Sequence, residues 1–339
     1  MRLMVTGGLG FIGSHFIRRV LEERPGYAII NYDAITYAGN PANCKDLEAH
    51  PRYRFLKGDI CDAGRVDEAV SSGVDAIINF AAETHVDRSI MNPDSFIRTD
   101  VLGTHTLLEA VRKFDIRRFV QVSTDEVYGD FPMGAAKESD ALRPRSPYSA
   151  SKAGGDLQVL AYWATYGTPV LITRGSNTYG PYQYPEKLIP LFITNLIDKK
   201  TVPLYGDGMQ QREWIHVDDH VRGILQVLDQ GETGNVYNVG GGNRRTNLDI
   251  TQLLVSELGC SMKTHVQHVL DRAGHDRRYA VESVKARALG WEPRVQFEEG
   301  LRNTIDWYRE NESWWRPILS GQFKDYFQKQ YRNRMVSAS

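Results

Sequence analysis

Residues 6–13 read TGGLGFIG and join the apolar run RLMV at 2–5 to an amphipathic stretch. This order predicts a strand, a tight loop and a helix, with Gly7, Gly10 and Gly13 in the loop. Glycine permits a tight turn and a close approach of backbone to a pyrophosphate, and the N-terminus of a helix offers N–H groups and a positive dipole. The spacing is GxxGxxG rather than GxGxxG, so the glycines alone would also suit a plain structural turn. The strand before the loop and the helix after it favour a dinucleotide-binding loop.

The first half of the chain alternates short apolar runs with amphipathic stretches. Among the apolar runs are AIINYD at 28–33, VDAIINFAA at 74–82 and RRFVQVST at 117–124. Strands that alternate with helices predict crossover units, and therefore an α/β fold: a Rossmann-type doubly wound parallel sheet with a smaller C-terminal substrate-binding lobe.

The alternation loosens after SNTYGPYQYPEK, where Pro, Tyr and Gly accumulate. We therefore expect a Rossmann domain at 1–177, rejoined by about 213–241, and a second, smaller domain at 178–330. In such sheets, ligands bind at the carboxyl ends of the strands.

Composition excludes several classes of protein. With 339 residues, 41% hydrophobic and 24% charged, the chain has the composition of an ordinary globular protein, and its net charge of −1 gives no general attraction to nucleic acid or to an anionic membrane. The three cysteines are widely spaced and lack a CxxC pair, and the histidines show no metal-ligand pattern. The spacing of these cysteines and histidines predicts no metal site. There is no signal-peptide pattern and no membrane-spanning apolar run, so we expect a cytoplasmic protein.

Asp33 closes the second predicted strand, about twenty residues after the last glycine, where an acidic side chain accepts hydrogen bonds from the adenosine ribose. A carboxylate there repels a 2′-phosphate, so the sequence favours NAD over NADP; a plain turn residue is the alternative. GDI at 58–60 and FAA at 80–82 end the next two strands beside the same crevice. The cofactor contacts predicted along it are Gly7, Gly10, Phe11, Ile12, Gly13, Asp33, Thr36, Asp59, Ile60, Phe80, Ala81 and Ala82.

The stretch YSASK places Tyr148 and Lys152 four positions apart at the start of a helical stretch. Residues at this spacing share one face of a helix. An ammonium near the phenol, together with a positive nicotinamide ring, is expected to lower the pKa of the tyrosine so that it can take a proton from an alcohol. By itself this pair is common on exposed helices, and the dinucleotide loop is what favours the catalytic interpretation.

The stretch STDEVYG at 123–129 places Asp125 and Glu126 at the end of a core strand, directly after Thr124. Ionised carboxylates are costly to bury. Either the strand ends in water, or the pair does acid–base chemistry in a cleft, where close like charges raise the pKa of one member.

The glycine loop, YSASK and SNTYGP at 176–181 resemble the extended short-chain dehydrogenase/reductases that act on nucleotide sugars. Within that family, STDEVYG, HVDRSI at 85–90 and DRAGHDRRYA at 271–280 are similar to the dTDP-glucose 4,6-dehydratases, and so is YGPYQYPEKLIP. The similarity extends to about residue 317, and TDE is its discriminating motif.

The resemblance implies an NAD-mediated oxidation at C4 of dTDP-glucose, elimination of water across C5–C6 and return of hydride to C6. Tyr148 would remove the C4 hydroxyl proton with help from Lys152, which also holds the nicotinamide ribose, and Thr124 would donate a hydrogen bond at O4. Glu126 would take the C5 proton as base, and Asp125 would protonate the leaving C6 hydroxyl as acid. The product would be the 4-keto-6-deoxy sugar.

The resemblance also implies further contacts. Cofactor contacts would include Thr99 and Thr178, as well as Tyr148 and Lys152. Arg212 would bind the diphosphate, because a guanidinium can bind phosphate oxygens bidentately. Thr178 stands where the family usually has asparagine, and Ala273 replaces the usual proline. The implied substrate contacts are Thr84, Thr124, Asn177, Lys187, Leu188, Pro203, Leu204, Tyr205, Arg212, Asn247, Arg272 and His275.

Three alternatives stay open at this point. A UDP-sugar 4-epimerase or a UDP-glucuronate decarboxylase of the same family would keep the glycine loop and the YxxxK pair without the adjacent Asp–Glu. A catalytically silent dinucleotide-binding protein, a scaffold or redox sensor, would be expected to lack the tyrosine, lysine or carboxylates, and all four are present. The resemblance further implies a homodimer formed through the helices that begin near FIRTDVLGTHTLLEAV and SASKAGGDLQVLAYWA.

Trp314 and Trp315 in ESWWRP suggest a sugar platform, but they lie outside every motif and we expect them to pack in the core. For His85 we expect a structural hydrogen bond rather than a role as a base.

Overall fold

The computed structural model describes residues 1–320 and Gln330. The strands are β1 Arg2–Thr6, β2 Ala28–Asp33, β3 Tyr53–Lys57, β4 Ala76–Asn79, β5 Arg118–Thr124, β6 Val170–Gly175, β7 Asn177–Tyr179, β8 Val202–Tyr205, β9 Gln211–His216, β10 Val236–Val239, β11 Asn243–Thr246 and β12 Val266–Val269.

The helices are α1 Phe11–Glu23, α2 Ala63–Ser71, α3 Val86–Met91, α4 Pro93–Phe96, α5 Thr104–Lys113, α6 Pro147–Tyr166, α7 Leu188–Ile197, α8 Val217–Gln230, α9 Asn247–Glu257, α10 Met262–His265, α11 Val284–Ala288, α12 Phe297–Glu310 and α13 Glu312–Ser320. Pro41–Leu47 and Asp125–Tyr128 are 3-10 turns, and Ile97–Gly103 is π-helical. Within the described part of the chain, no helix combines the length and the apolar character needed to cross a membrane.

Seven parallel strands form the main sheet in the order β3-β2-β1-β4-β5-β6-β10. The strand order reverses between β1 and β4, and in open sheets of this kind the crevice at the reversal is where ligands bind. The predicted Rossmann-type α/β fold is therefore confirmed.

Side chains of the central strands alternate between the two faces of the sheet. Leu3 and Val5 pack in one apolar layer with α1 and α8, whereas Met4 packs in the other with α2, α5 and α6. Both faces are covered, which is why the central strands are almost continuously hydrophobic.

The second lobe is built on a three-stranded sheet, β11-β9-β7, and a two-stranded sheet, β12-β8. Its core joins these strands to α7, α9, α12 and α13. β10 pairs with β6 at the edge of the main sheet, although it follows β7 to β9 in the chain. The division into residues 1–177 and 178–330 stays a prediction, and residues 321–329 lie outside the described residues.

The two tryptophans of ESWWRP pack in the protein rather than forming a platform. Trp315 is fully buried and donates to the carbonyl of Tyr308 at 2.7 Å. Trp314 is partly buried, and its indole N–H donates to Oδ1 of Asn43 at 2.8 Å, a residue of the first lobe that itself donates to the carbonyl of Leu9 in the glycine loop. The prediction of core packing is confirmed for both residues.

We expect Trp315→Ala to lower the free energy of unfolding by about 3–5 kcal/mol, because it removes a large, fully buried side chain and leaves a cavity. Trp314→Ala is the matched neighbour and should lower it by less, since its indole is only partly buried. Chemical denaturation of both variants measures the difference. An unfolding free energy unchanged by Trp315→Ala would contradict the packing assignment.

Candidate active site

The glycine loop leaves no room for side chains. Gly7 has a φ of +65°, and a Cβ there would lie 2.6 Å from the amide nitrogen of Ala81. A Cβ on Gly13 would lie 2.5 Å from the carbonyl oxygen of Gly7. α1 starts directly after Gly10 without a side-chain cap, so the N–H groups of its first turn stay available for phosphate oxygens. These features fit a bound dinucleotide.

Asp33 ends β2 beside this loop, and its orientation is determined by the backbone. Its carboxylate accepts hydrogen bonds from the N–H of Leu9 at 3.0 Å and the N–H of Ile35 at 2.8 Å. Burial raises the pKa of Asp33, and these two donors oppose that shift. Each carboxylate oxygen has a further lone pair that a ribose hydroxyl can use.

A cleft with an empty volume of about 1630 Å³, its open mouth included, runs from the glycine loop across the carboxyl ends of β1, β2, β4, β5 and β6. Every cofactor contact predicted from the sequence lines this cleft, including Thr36, Thr99 and Thr178. The predicted catalytic and sugar-binding residues that line it are Thr84, Thr124, Asp125, Glu126, Tyr148, Lys152, Asn177 and Lys187.

The two neighbouring carboxyl groups belong to the 3-10 turn that follows β5. Oγ1 of Thr124 accepts from the N–H of Glu126 at 3.3 Å and donates to Oδ1 of Asp125 at 3.2 Å. Burial, followed by the charges of Glu126 and Glu213, raises the pKa of Asp125 well above its ordinary value. This shift favours the protonated form of Asp125. The turn is buried, so the strand does not simply end in water.

Two oxygens of this pair are buried and ready for a ligand. Oδ2 of Asp125 and Oε2 of Glu126 have no hydrogen-bond partner within residues 1–320 or at Gln330. Oδ1 of Asn177, which lines the same cleft, is in the same situation. Buried polar atoms normally have partners, so this grouping indicates a polar ligand.

Tyr148 and Lys152 lie in the first turns of α6, which Pro147 and a reciprocal capping box between Ser146 and Ser149 begin. Nζ of Lys152 donates to the carbonyl of Val122 at 3.0 Å, which ties the helix to β5.

The pKa of Tyr148 is shifted by its surroundings. Burial, followed by the charges of Glu126, Asp100 and Asp125, raises it well above its ordinary value, and a hydrogen bond with Thr124 opposes the shift. The pKa set by the protein's own groups is raised because burial and three nearby carboxyl groups dominate, and the lowering expected from Lys152 together with the nicotinamide ring stays a prediction.

The remaining predicted substrate residues form a second group beside the cleft, on β8, β9, the starts of α7 and α9, and the loop after β12. Arg212 is buried; its guanidinium lies 4.2 Å from the Tyr279 ring and donates to the carbonyl of Asp276 at 2.9 Å. The guanidinium of Arg212 interacts electrostatically with Asp125 and Glu126, so this second group of residues lies next to the residues of the cleft. The residues that do not line the cleft itself are Leu188, Pro203, Leu204, Tyr205, Arg212, Asn247, Arg272 and His275.

Some of these residues contact one another. The rings of Tyr205 and His275 lie 6.1 Å apart at a near-perpendicular angle. His275 is bonded to Asp271 at 2.6 Å, and burial lowers its pKa to about 3. Lys187 lies between the cleft residues and the second group. Its ammonium donates to Oγ1 of Thr84 at 2.8 Å and interacts electrostatically with Glu126 and Arg272.

Sequence reasoning missed two buried acids. Asp100 accepts from the hydroxyl of Ser151 at 2.6 Å and from the N–H of Glu83 at 3.1 Å, and burial raises its pKa to about 6. Glu213 acts on Asp125 through its charge. Each directly follows a predicted site residue, Thr99 and Arg212, and that adjacency was the signal that could have identified them.

His85 makes the predicted structural contact, 3.2 Å from its Nε2 to the carbonyl of Glu186. Of the two departures from the family pattern, Thr178 is bonded to Nδ1 of His220 at 2.8 Å, whereas Ala273 is exposed. Within the described residues no cluster of His, Cys, Asp and Glu suits a metal ion.

Known proteins resemble the chain over nearly its whole length. A family model described as GDP-mannose 4,6 dehydratase matches residues 4–304. The dTDP-glucose 4,6-dehydratase of Streptomyces griseus is 51% identical over 94% of this chain and 97% of its own length. A crystal structure of dTDP-glucose 4,6-dehydratase from Streptomyces venezuelae with NAD bound has a TM-score of 0.91 at 53% identity, and covers 94% of this chain and 100% of its own.

An epimerase of similar fold is more distant. The Thermus thermophilus UDP-glucose 4-epimerase, in complex with NAD, has a TM-score of 0.85 and covers 92% of this chain and 100% of its own, but is only 30% identical. The chain therefore belongs to the nucleotide-sugar 4,6-dehydratase family, and several of its relatives at about half identity are dTDP-glucose 4,6-dehydratases.

Proposed function

We propose that this protein is a dTDP-glucose 4,6-dehydratase that works with bound NAD. The observation that carries the proposal is the buried pair at the end of β5: burial and neighbouring charges favour the protonated form of Asp125, and Glu126 presents an unpartnered oxygen in the same cleft. A reaction that removes a proton from one carbon and a hydroxide from the next needs one base and one acid side by side.

The glycine loop and Asp33 would hold the dinucleotide, with its pyrophosphate at the start of α1. When bound, NAD supplies the oxidant, taking hydride from sugar C4 and returning it to C6, and its positive ring favours the ionised form of Tyr148. Tyr148 removes the proton of the C4 hydroxyl, and Thr124, which hydrogen-bonds to Tyr148, is placed to donate to O4.

The resulting 4-ketone acidifies the C5 hydrogen. Glu126 takes this proton, and Asp125 gives its proton to the C6 hydroxyl, which leaves as water. The proton held by Glu126 then returns to C5 as hydride returns to C6. The net change is loss of one water. The proton that Tyr148 took from the C4 hydroxyl replaces the one that Asp125 gave to the leaving water, so Tyr148, both carboxyl groups and the cofactor are restored.

The second group of residues would hold the nucleotide. The charge of Arg272 contributes to the lowered pKa of Arg212, so the two guanidinium groups are close together, a suitable setting for a diphosphate. Lys187, bonded to Thr84, would connect this diphosphate site to the sugar.

The epimerase or decarboxylase alternative is less well supported. Epimerisation at C4 requires no acid at O6, and decarboxylation removes the C6 carbon, so neither needs a neighbouring protonated Asp125 and Glu126. Tyr148, Lys152 and both carboxyl groups all line the same cleft, which also disfavours a catalytically silent binding protein.

We further propose that the protein is a cytoplasmic homodimer. Its cysteines are free thiols, which suits a reducing compartment. Ile97 is 58% exposed, Leu102 46% and Leu157 56%, and they lie on the π-helical segment and on α6, which pack against each other. Exposed apolar side chains grouped on neighbouring helices are typical of an interaction surface.

Purified protein incubated with dTDP-glucose in deuterated water, without added cofactor, should form a 4-keto-6-deoxy product with deuterium at C5 and no net NADH. Mass spectrometry and NMR measure both. Unchanged dTDP-glucose, or a galactose epimer alone, would count against the assignment.

Glu126→Gln should lower kcat by about 100- to 10,000-fold, because it removes a general base. Oxidation at C4 can still occur, so we expect bound NADH to persist and C5 to take up no deuterium. Asp125→Asn is the matched variant: it should also block loss of water, yet allow deuterium at C5. Exchange at C5 at the normal rate in Glu126→Gln would exclude Glu126 as the base.

Leu102→Glu combined with Leu157→Glu should convert the dimer to a monomer, because two buried charges would face their symmetry mates across the interface. Size-exclusion chromatography with light scattering measures the mass. Val284→Glu, at a position 64% exposed on α11, is the control and should leave the mass unchanged. A wild-type monomer would refute the proposal directly.

A further inference from the structure

A buried polar network lies directly behind the turn that carries the two carboxyl groups. Tyr128 is the last residue of that turn, two positions after Glu126, and is 3% exposed. Its hydroxyl lies 2.8 Å from Oδ1 of Asn238 and 2.8 Å from Nη1 of Arg174. The turn that would perform the elimination is thus attached to β10 and β6 through a single phenol.

Arg174 connects Tyr128 to α6, the helix that carries Tyr148 and Lys152. Its Nε donates to Oδ2 of Asp156 at 2.9 Å, and both side chains are almost completely buried. Asp156 lies on α6, one helical turn beyond Lys152 and two beyond Tyr148. The chain of contacts therefore connects the turn of Asp125 and Glu126 to the helix of Tyr148 and Lys152.

The hydrogen bonds of this network allow only one arrangement. The amide N–H groups of Asn238 donate to the carbonyls of Ala136 at 3.0 Å and Glu282 at 3.2 Å, so its Oδ1 must face Tyr128. A guanidinium can only donate, so the Tyr128 hydroxyl accepts from Arg174 and gives its own proton to Asn238. The two hydrogen bonds of the Tyr128 hydroxyl therefore have fixed directions, which favours one geometry of the ring and its partners.

The backbone at the end of the turn adds a second constraint. Gly129 has a φ of +72°, and a Cβ there would lie 2.0 Å from the carbonyl oxygen of Arg143. The N–H of Arg143 donates to the carbonyl of Val127 at 3.0 Å. These contacts fix the exit of the turn. α6 also packs directly against the turn, since Ala153 shares a small apolar cluster with Val127 and Tyr128, and the Tyr128 hydroxyl adds a polar link to this packing.

We propose that Tyr128 is a positioning residue. It holds the turn of Asp125 and Glu126 at a constant distance from the pair on α6, so that elimination of water is as fast as oxidation at C4. This inference rests on the proposed function. Tyr148 and Lys152 act at C4, while Glu126 and Asp125 act at C5 and C6, and the two pairs sit on different elements. The sugar can satisfy both pairs only if the turn and the helix hold a constant separation.

Tyr128→Phe tests this, because it keeps the ring and removes only the hydroxyl. With dTDP-glucose, we expect kcat to fall by about 10- to 100-fold, as for a small misplacement of catalytic groups, while KM stays within about twofold. Oxidation should outrun elimination, so the fraction of enzyme holding NADH during steady turnover should rise above that of the wild type.

Tyr237→Phe is the matched control. Tyr237 precedes Asn238 on β10, is equally buried at 3%, and its hydroxyl accepts from the backbone N–H of Glu232 at 2.9 Å, away from the cleft. It should leave kcat and the NADH fraction unchanged.

An unchanged kcat and NADH fraction in Tyr128→Phe would overturn the inference. A lower kcat with an unchanged NADH fraction would also overturn it, because a merely structural loss slows oxidation and elimination alike. If thermal melting shows Tyr128→Phe to be unfolded, Asn238→Ala, which removes the acceptor of the phenol, decides on the same readouts. If both variants are unfolded, the network is structural and the proposal fails. A wild-type enzyme that leaves dTDP-glucose unchanged would instead refute the proposed function.

Discussion

Two carboxyl groups, Asp125 and Glu126, share the buried end of β5, and they cannot both be ionised there without a large electrostatic penalty. Burial and the charges of Glu126 and Glu213 raise the pKa of Asp125, which favours a protonated Asp125 beside an ionised neighbour. Thr124 completes the arrangement by hydrogen-bonding to both residues. One acid and one base at adjacent positions are what an elimination of water requires, so this constraint connects the fold to the proposed chemistry.

The same burial acts differently on the two acids of the site. It favours the protonated form of Asp125, which suits a proton donor, but it also favours the protonated form of Tyr148, which has to accept a proton. The ammonium of Lys152 donates a hydrogen bond to the carbonyl of Val122, and the pKa of Tyr148 stays raised despite this nearby positive charge. The tyrosine therefore depends on positive charge brought to the cleft with the ligands, whereas Asp125 is prepared by the protein alone.

The parallel sheet makes this arrangement possible. The reversal of strand order between β1 and β4 opens the crevice for the dinucleotide, and β5 and β6 bring the catalytic turn and Asn177 to the same edge. The second lobe adds Arg212 and Lys187 from the other side, and Trp314 ties that lobe back to the glycine loop through Asn43. The site thus lies where both lobes contribute side chains.

The sequence by itself determined the fold class and most of the site. The glycine loop, the strand–helix alternation, STDEVYG and YSASK are local patterns, and local geometry dictates what they form: a turn without Cβ atoms, strands, and a helix face shared by Tyr148 and Lys152. Every cofactor contact predicted from the sequence lines the cleft, although Thr99 and Thr178 came from the family resemblance rather than from these patterns.

Only the tertiary structure decided which charges face one another. Asp100 and Glu213 are far from Tyr148 and Asp125 in the chain, yet their charges raise the pKa of those groups. The buried link from Tyr128 through Arg174 to Asp156 likewise joins residues from three separate elements. Burial and long-range electrostatics depend on distances between segments remote in sequence, and no local pattern encodes those distances.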